Sequence, residues 1–127
     1  MIGTYRVAPA IHFGYGVADR TGELARSFGV SRVLLVTDPG IRAAGICGQI
    51  EAALAASEIS YEIYDQVSPN PRDYECLAAA ERARESGAQA IVAVGGGSPI
   101  DVAKAAVGLA TNPGTVADWL PPRTFTE

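Results

Sequence analysis

Apolar positions along this chain follow two different periods. Val33–Val36 is an unbroken apolar run, and Ala90–Val94 is a second. Runs without alternation fit parallel strands covered on both faces. Ile59–Tyr64 reads as a further strand, more polar and so nearer a sheet edge. Between the runs the spacing turns helical. Val17, Leu24, Ala25 and Phe28 predict a first amphipathic helix, closed by Gly29. Ile46, Ile50, Ala53 and Leu54 predict a second. A third starts at Asp73, buries Tyr74, Leu77 and Ala78, and ends at Gly87. A fourth covers residues 99–110, with Val102, Ala105, Ala106 and Leu109 inward. Residues 4–13 alternate loosely around Pro9 and predict a short hairpin or edge segment. Pro69-Asn70-Pro71 forms a rigid loop and Thr111–Gly114 a turn; Thr115–Leu120 adds a helical turn that Pro121-Pro122 breaks.

Strands alternating with helices predict an α/β domain, a mainly parallel sheet flanked by helices, over residues 1–127. Ligands of such sheets bind at the carboxyl ends of the strands. Asp38, the Pro69–Pro71 loop and Gly95–Ser98 all follow strand ends, so they are expected on one edge of the sheet.

The densest chemistry lies in Ile91–Ala105, where a strand runs into Gly95-Gly96-Gly97 and then a helix-start signature. Ser98 is placed to cap, Pro99 to open the helix, and Asp101 to complete a capping box. Glycines let backbone N–H groups approach a ligand, and a helix start adds unpaired donors and partial positive charge. The combination suits a pyrophosphate. It is neither G-x-x-x-x-G-K-[ST] nor G-x-G-x-x-G with an acid further on. A tight turn with a good helix cap is the plainer reading of the same residues.

Gly95-Gly96-Gly97-Ser98-Pro99-Ile100-Asp101-Val102-Ala103-Lys104-Ala105 resembles the glycine motif of the iron-containing (group III) alcohol dehydrogenases. Ile11-His12-Phe13-Gly14-Tyr15-Gly16 is similar to the family's opening turn, Arg32–Ile41 to its first nucleotide-binding strand and loop, and Asp65–Pro71 to its Pro-Asn-Pro loop. The four segments stand in family order. The resemblance implies a Rossmann-like, dehydroquinate synthase-like dinucleotide-binding domain, the N-terminal part of a two-domain, metal-dependent, NAD(P)-linked alcohol dehydrogenase. The family's divalent metal, iron or zinc, is held by an Asp and three His of a helical domain. This sequence has one His, His12, near the wrong end, so no metal ligand is assigned and no residue is assigned as catalytic.

By that resemblance Gly95, Gly96, Gly97 and Ser98 hold the cofactor's pyrophosphate. Asp38 accepts from the adenosine ribose hydroxyls and repels a 2′-phosphate, which implies NAD in preference to NADP; its plainer reading is a cap on the turn before Pro39-Gly40. Asn70 touches the adenine edge or simply forms the turn between two prolines. Asp101 lies near the nicotinamide and can close the capping box as well. Lys104 pairs with Asp101 or faces the ligand. In the ordinary dinucleotide fold the glycine turn precedes the acid; here Asp38 comes first, so a different strand order is expected.

Net charge is −4 with no basic block, which argues against nucleic acid and anionic membrane surfaces. No apolar run approaches the roughly 20 residues that span a bilayer. Met1–Arg6 lacks a signal-peptide core, from which a cytoplasmic location is expected. Cys47 and Cys76 match no zinc spacing and read as free thiols. Trp119 is expected to cover apolar surface. The expected partners are a small alcohol or aldehyde and further copies of the chain. Two rivals stay open: a polyol or glycerol dehydrogenase of the same superfamily, and a non-catalytic dinucleotide-binding module.

Overall fold

The computed structural model describes residues 9–119. Three strands, β1 (Arg32–Val36), β2 (Ser60–Tyr64) and β3 (Ala90–Ala93), form one parallel sheet in the order β2-β1-β3. The helices are α1 (Thr21–Ser27), α2 (Pro39–Ala43), α3 (Ile46–Ala56), α4 (Asp73–Ser86) and α5 (Gly97–Thr111). A 3-10 turn, Val17–Arg20, leads into α1, and another, Val116–Trp119, follows α5.

The central strand explains its own sequence. Val33, Leu34, Leu35 and Val36 are all fully buried because successive side chains enter opposite layers. Leu34 and Val36 pack with Ala79, Ala80 and Ala83 of α4 and with Val102, Ala106 and Leu109 of α5. Val33 and Leu35 pack with Ala25 of α1 and Cys47, Ile50 and Leu54 of α3. Alanine on α4 lets its backbone lie close to the sheet, since burial there needs little volume. Strand β2 is an edge strand, as its polar content predicts, and only Tyr64 in it is fully buried.

Several expectations change. The first helix is split: Val17 belongs to the 3-10 turn, and Phe28 stands 82% exposed past the end of α1. Gly22, not a large apolar residue, makes the closest approach of α1 to α3. A Cβ there would fall 2.1 Å from the Ala53 carbonyl oxygen. On α4 the buried face is Glu75, Ala79, Ala80 and Ala83, while Tyr74 is 64% exposed and Leu77 and Ala78 are half-buried. Ile46 is half-exposed and Cys47 takes the inward position on α3. Helix α2 carries no apolar period long enough to announce it. Of the edge segment expected over 4–13, residues 4–8 lie outside the described residues, and 9–13 form no strand. Trp119 packs against the α4–α5 layer, its indole N–H donating to the Pro113 carbonyl at 3.1 Å.

Candidate functional site

The three strands end level with one another. Val36 pairs with Tyr64 on one side and Ala93 on the other. Thr37, fully buried, then joins all three ends. Its N–H donates to the Tyr64 carbonyl at 2.9 Å, and its hydroxyl donates to the Val94 carbonyl at 2.8 Å. The Cys47 thiol donates in turn to the Thr37 hydroxyl at 3.6 Å. A level edge puts the following loops side by side. They enclose a cleft of about 440 Å³ lined by Asp38–Gly40 after β1, Val67–Pro69 after β2, and Gly96–Pro99 after β3. This is the carboxyl-end site expected of a parallel sheet.

On the β1 side, Asp38 is the N-cap of α2, its Oδ1 accepting from the Ile41 N–H at 2.9 Å. The plain capping role is therefore real, and it also fixes the carboxylate at the cleft wall. On the β3 side, Gly95 has φ +138, a backbone conformation that L side chains rarely adopt. A Cβ there would meet Pro99 Cγ at 2.9 Å and Asp38 Oδ2 at 3.3 Å. At Gly96 and Gly97 a Cβ would meet no protein atom within 4 Å, so the glycine turn faces open space in the cleft.

The helix start differs from the expected one. Gly96 is the N-cap of α5, Gly97 the first helical residue, and no side chain caps the end. Ser98 and Asp101 therefore form no capping box. Pro99 falls at the third position, where its missing N–H costs nothing because first-turn amides have no intrahelical partner anyway. The amides of Gly97 and Ser98, ahead of it, are left as donors at the cleft. Asp101 and Lys104 are both exposed and make no ion pair with each other.

Of the residues singled out from sequence, Asp38, Gly96, Gly97 and Ser98 line the cleft, and Gly95 packs behind Asp38. Asn70 sits in the adjoining loop with φ +53, exposed and outside the lining. Asp101 lies a turn further along α5, also outside it. His12 is exposed.

Glu75 is the residue that sequence reasoning missed. It is 3% exposed and accepts from the Ser68 N–H at 2.7 Å, the Ser68 hydroxyl at 3.0 Å and the Arg72 N–H at 2.5 Å. Burial pushes its carboxyl up, but the bonds from Arg72 and Ser68 outweigh that and hold it below the usual carboxylate range. Its only sequence signal is a Glu at the third position of a helix, which ordinarily reads as a solvated cap. Both cysteines are free thiols; burial pushes the Cys76 thiol up, with Glu75 and Asp73 adding to it, which makes it a poor nucleophile.

Among the described residues no three His, Cys, Asp or Glu side chains come together as a metal site, and no helix is long and apolar enough to cross a membrane.

A parallel α/β sheet flanked by helices, with an acid after its first strand and a glycine turn after its third, places the chain in the Rossmann-like fold class. Sequence comparison makes this specific: residues 8–126 match the family model for iron-containing alcohol dehydrogenase, and the chain belongs to that family. It is 34% identical over 115 residues to alcohol dehydrogenase 4 of Saccharomyces cerevisiae, covering 91% of this chain and 30% of that protein. It is 37% identical over 116 residues to choline dehydrogenase of Bacillus subtilis, covering 91% of this chain and 29% of that one. In structure it superposes on NADH-dependent butanol dehydrogenase A of Thermotoga maritima with a TM-score of 0.87 at 30% identity, over 92% of this chain and 30% of the other. It superposes on sulfoacetaldehyde reductase of Bifidobacterium kashiwanohense, solved in complex with NAD+, with a TM-score of 0.86 at 29% identity, over 98% and 32% of the two chains. The chain thus spans about a third of the length of these relatives.

Proposed function

We propose that this chain forms the NAD(H)-binding part of an alcohol dehydrogenase. The observation that carries the reading is the meeting of Asp38 and the Gly95–Ser98 turn at one cleft. The amides of Gly96, Gly97 and Ser98 would hold the pyrophosphate, helped by the positive end of the α5 dipole. Asp38 would accept from the adenosine ribose hydroxyls, and its fixed charge would repel a 2′-phosphate, favouring NAD over NADP. Asn70, beside the cleft, would meet the adenine edge, and Asp101 would lie toward the nicotinamide. The butanol dehydrogenase is NADH-dependent and the reductase was solved with NAD+, which supports the same cofactor here.

Bound NAD supplies a hydride acceptor for the carbinol carbon of a small alcohol, or as NADH a donor to an aldehyde. The chain's own share is to bind and orient that cofactor. The family's divalent metal does not fit the described residues, which offer no converging set of His, Cys, Asp or Glu ligands. That same observation favours a second reading for these residues taken alone, a module that holds the dinucleotide without turnover.

Titration calorimetry of the purified chain with NADH and with NADPH tests the proposal. Tighter binding of NADH is expected. Equal affinity for the two, or no binding of either, would overturn it.

A further inference from the structure

The loop between β2 and α4 is poorly equipped to hold its own shape. Pro69 and Pro71 have no N–H to donate, and Asn70 between them sits at φ +53, a left-handed conformation that non-glycine residues adopt at a cost. Yet Val67, Ser68 and Pro69 form one wall of the cleft. Among the described residues, the hydrogen bonds that tie the two ends of this loop together all run through one side chain. Glu75 Oε1 takes the Ser68 N–H, while Oε2 takes both the Ser68 hydroxyl and the Arg72 N–H. Ser68 lies before the two prolines and Arg72 after them, so the carboxylate closes the loop from inside.

We propose that Glu75 is the positioning residue of the cleft, holding the Ser68–Arg72 loop in the shape that receives the dinucleotide. The inference rests on the cofactor reading above and adds to it a residue that touches no cofactor. The chemistry requires a carboxylate. Three donors converge on two oxygens, and an ionised carboxylate is acceptor-only at both. A glutamine offers one oxygen and turns an NH2 toward at least one donor. The loop then opens at one end, while the α4 helix keeps its length and the Ala79–Ala80–Ala83 face stays in the core. Glu75 itself is 3% exposed, so its carboxylate has these three donors rather than water to satisfy it.

Glu75→Gln in the full chain tests this with three measurements: NADH affinity by fluorescence titration, thermal unfolding, and amide hydrogen exchange by NMR. The expected result is faster exchange at the Ser68 and Arg72 amides, unchanged exchange at Leu34 and Leu35 in β1, and NADH affinity weaker by roughly tenfold, the size of one charge-assisted hydrogen bond. Faster loop exchange with unchanged affinity would overturn the positioning role, and so would unchanged exchange. If the glutamine variant does not fold, as thermal unfolding will show, Glu75→Asp keeps the charge but shortens the reach, and the exchange and affinity measurements decide on it. A wild-type chain that binds no NADH would remove the cofactor reading and this role with it. Wild-type binding beside an indifferent variant would remove this role alone.

Discussion

Oδ2 of Asp38 stands 3.3 Å from the point that a Cβ on Gly95 would occupy. The acid that follows β1 and the glycine that follows β3 are therefore in direct packing, with Pro99 closing the same gap at 2.9 Å. This contact separates the roles of adjacent glycines. Gly95→Ala strains a backbone at φ +138 and presses on Pro99, so it should destabilise the fold by about 1–3 kcal/mol. Gly96 has φ −84 and open space around a would-be Cβ. Gly96→Val should cost the fold no more than about 1 kcal/mol, as a poorer N-cap than glycine, and weaken NADH binding by tenfold or more, roughly the loss of one good hydrogen bond to a charged group. Urea unfolding and calorimetry on the two variants should give opposite patterns. Equal loss of stability in both would refute the assignment of open space to the ligand.

Asp38 caps α2 and, in the proposed reading, also carries the charge that selects the cofactor, so a substitution that removes both would be hard to read. Asp38→Gly removes the charge and also the Oδ1 bond to the Ile41 N–H. Asp38→Asn keeps an accepting oxygen and a good N-cap while removing the charge. We expect Asp38→Asn to retain the stability of the wild type to within about 0.5 kcal/mol and to narrow the gap between NADH and NADPH affinity. A variant as selective as the wild type would show that the carboxylate's charge does not discriminate.

Much of this arrangement is legible in the sequence. Val33–Val36 announces a doubly covered strand because nothing polar interrupts it, and three strand ends followed by Asp38, the proline loop and the glycine turn announce the cleft. What was hidden has a common cause: signals that hydropathy does not carry. Alanines at 79, 80 and 83 define the buried face of α4, so the larger Tyr74 draws the eye to the wrong side. Gly22 marks a helix–helix contact by having no side chain. Glu75 is charged and buried, which only its three donors explain. Ser98 looks like a cap because the glycines before it hide where the helix starts; Gly96, extended at ψ −156, takes that place.

Glu75 also predicts behaviour in acid. Its carboxyl is held below the ordinary range in the folded chain, while in the unfolded chain it returns to that range. A depressed carboxylate stabilises the fold at pH above its unfolded pKa, and the contribution is lost as pH falls through the folded pKa. Wild type should therefore lose stability in acid with a proton uptake that Glu75→Gln lacks. Unfolding curves for the two should converge as the pH drops below the usual glutamate range and stand furthest apart near neutrality. Parallel curves across the whole range would show that Glu75 does not titrate with folding.

The last prediction concerns turnover. Oxidation of an alcohol at neutral pH needs its oxygen polarised as the hydride leaves, and a bound divalent metal would supply that as a Lewis acid. A borderline divalent ion such as iron or zinc wants several imidazole or carboxylate ligands at one point. The whole sequence has one His, His12, and it is exposed and outside the cleft; among the described residues the cleft lining offers one carboxylate, Asp38, already committed to capping α2. These 127 residues should therefore bind NAD(H) without oxidising alcohols. The purified chain, given NAD, iron or zinc and a panel of small primary alcohols and diols, should produce no NADH absorbance, while calorimetry on the same preparation should still register the cofactor. Absorbance that appears with metal and vanishes with a chelator would show that the chain, or an assembly of several copies, builds a metal site of its own.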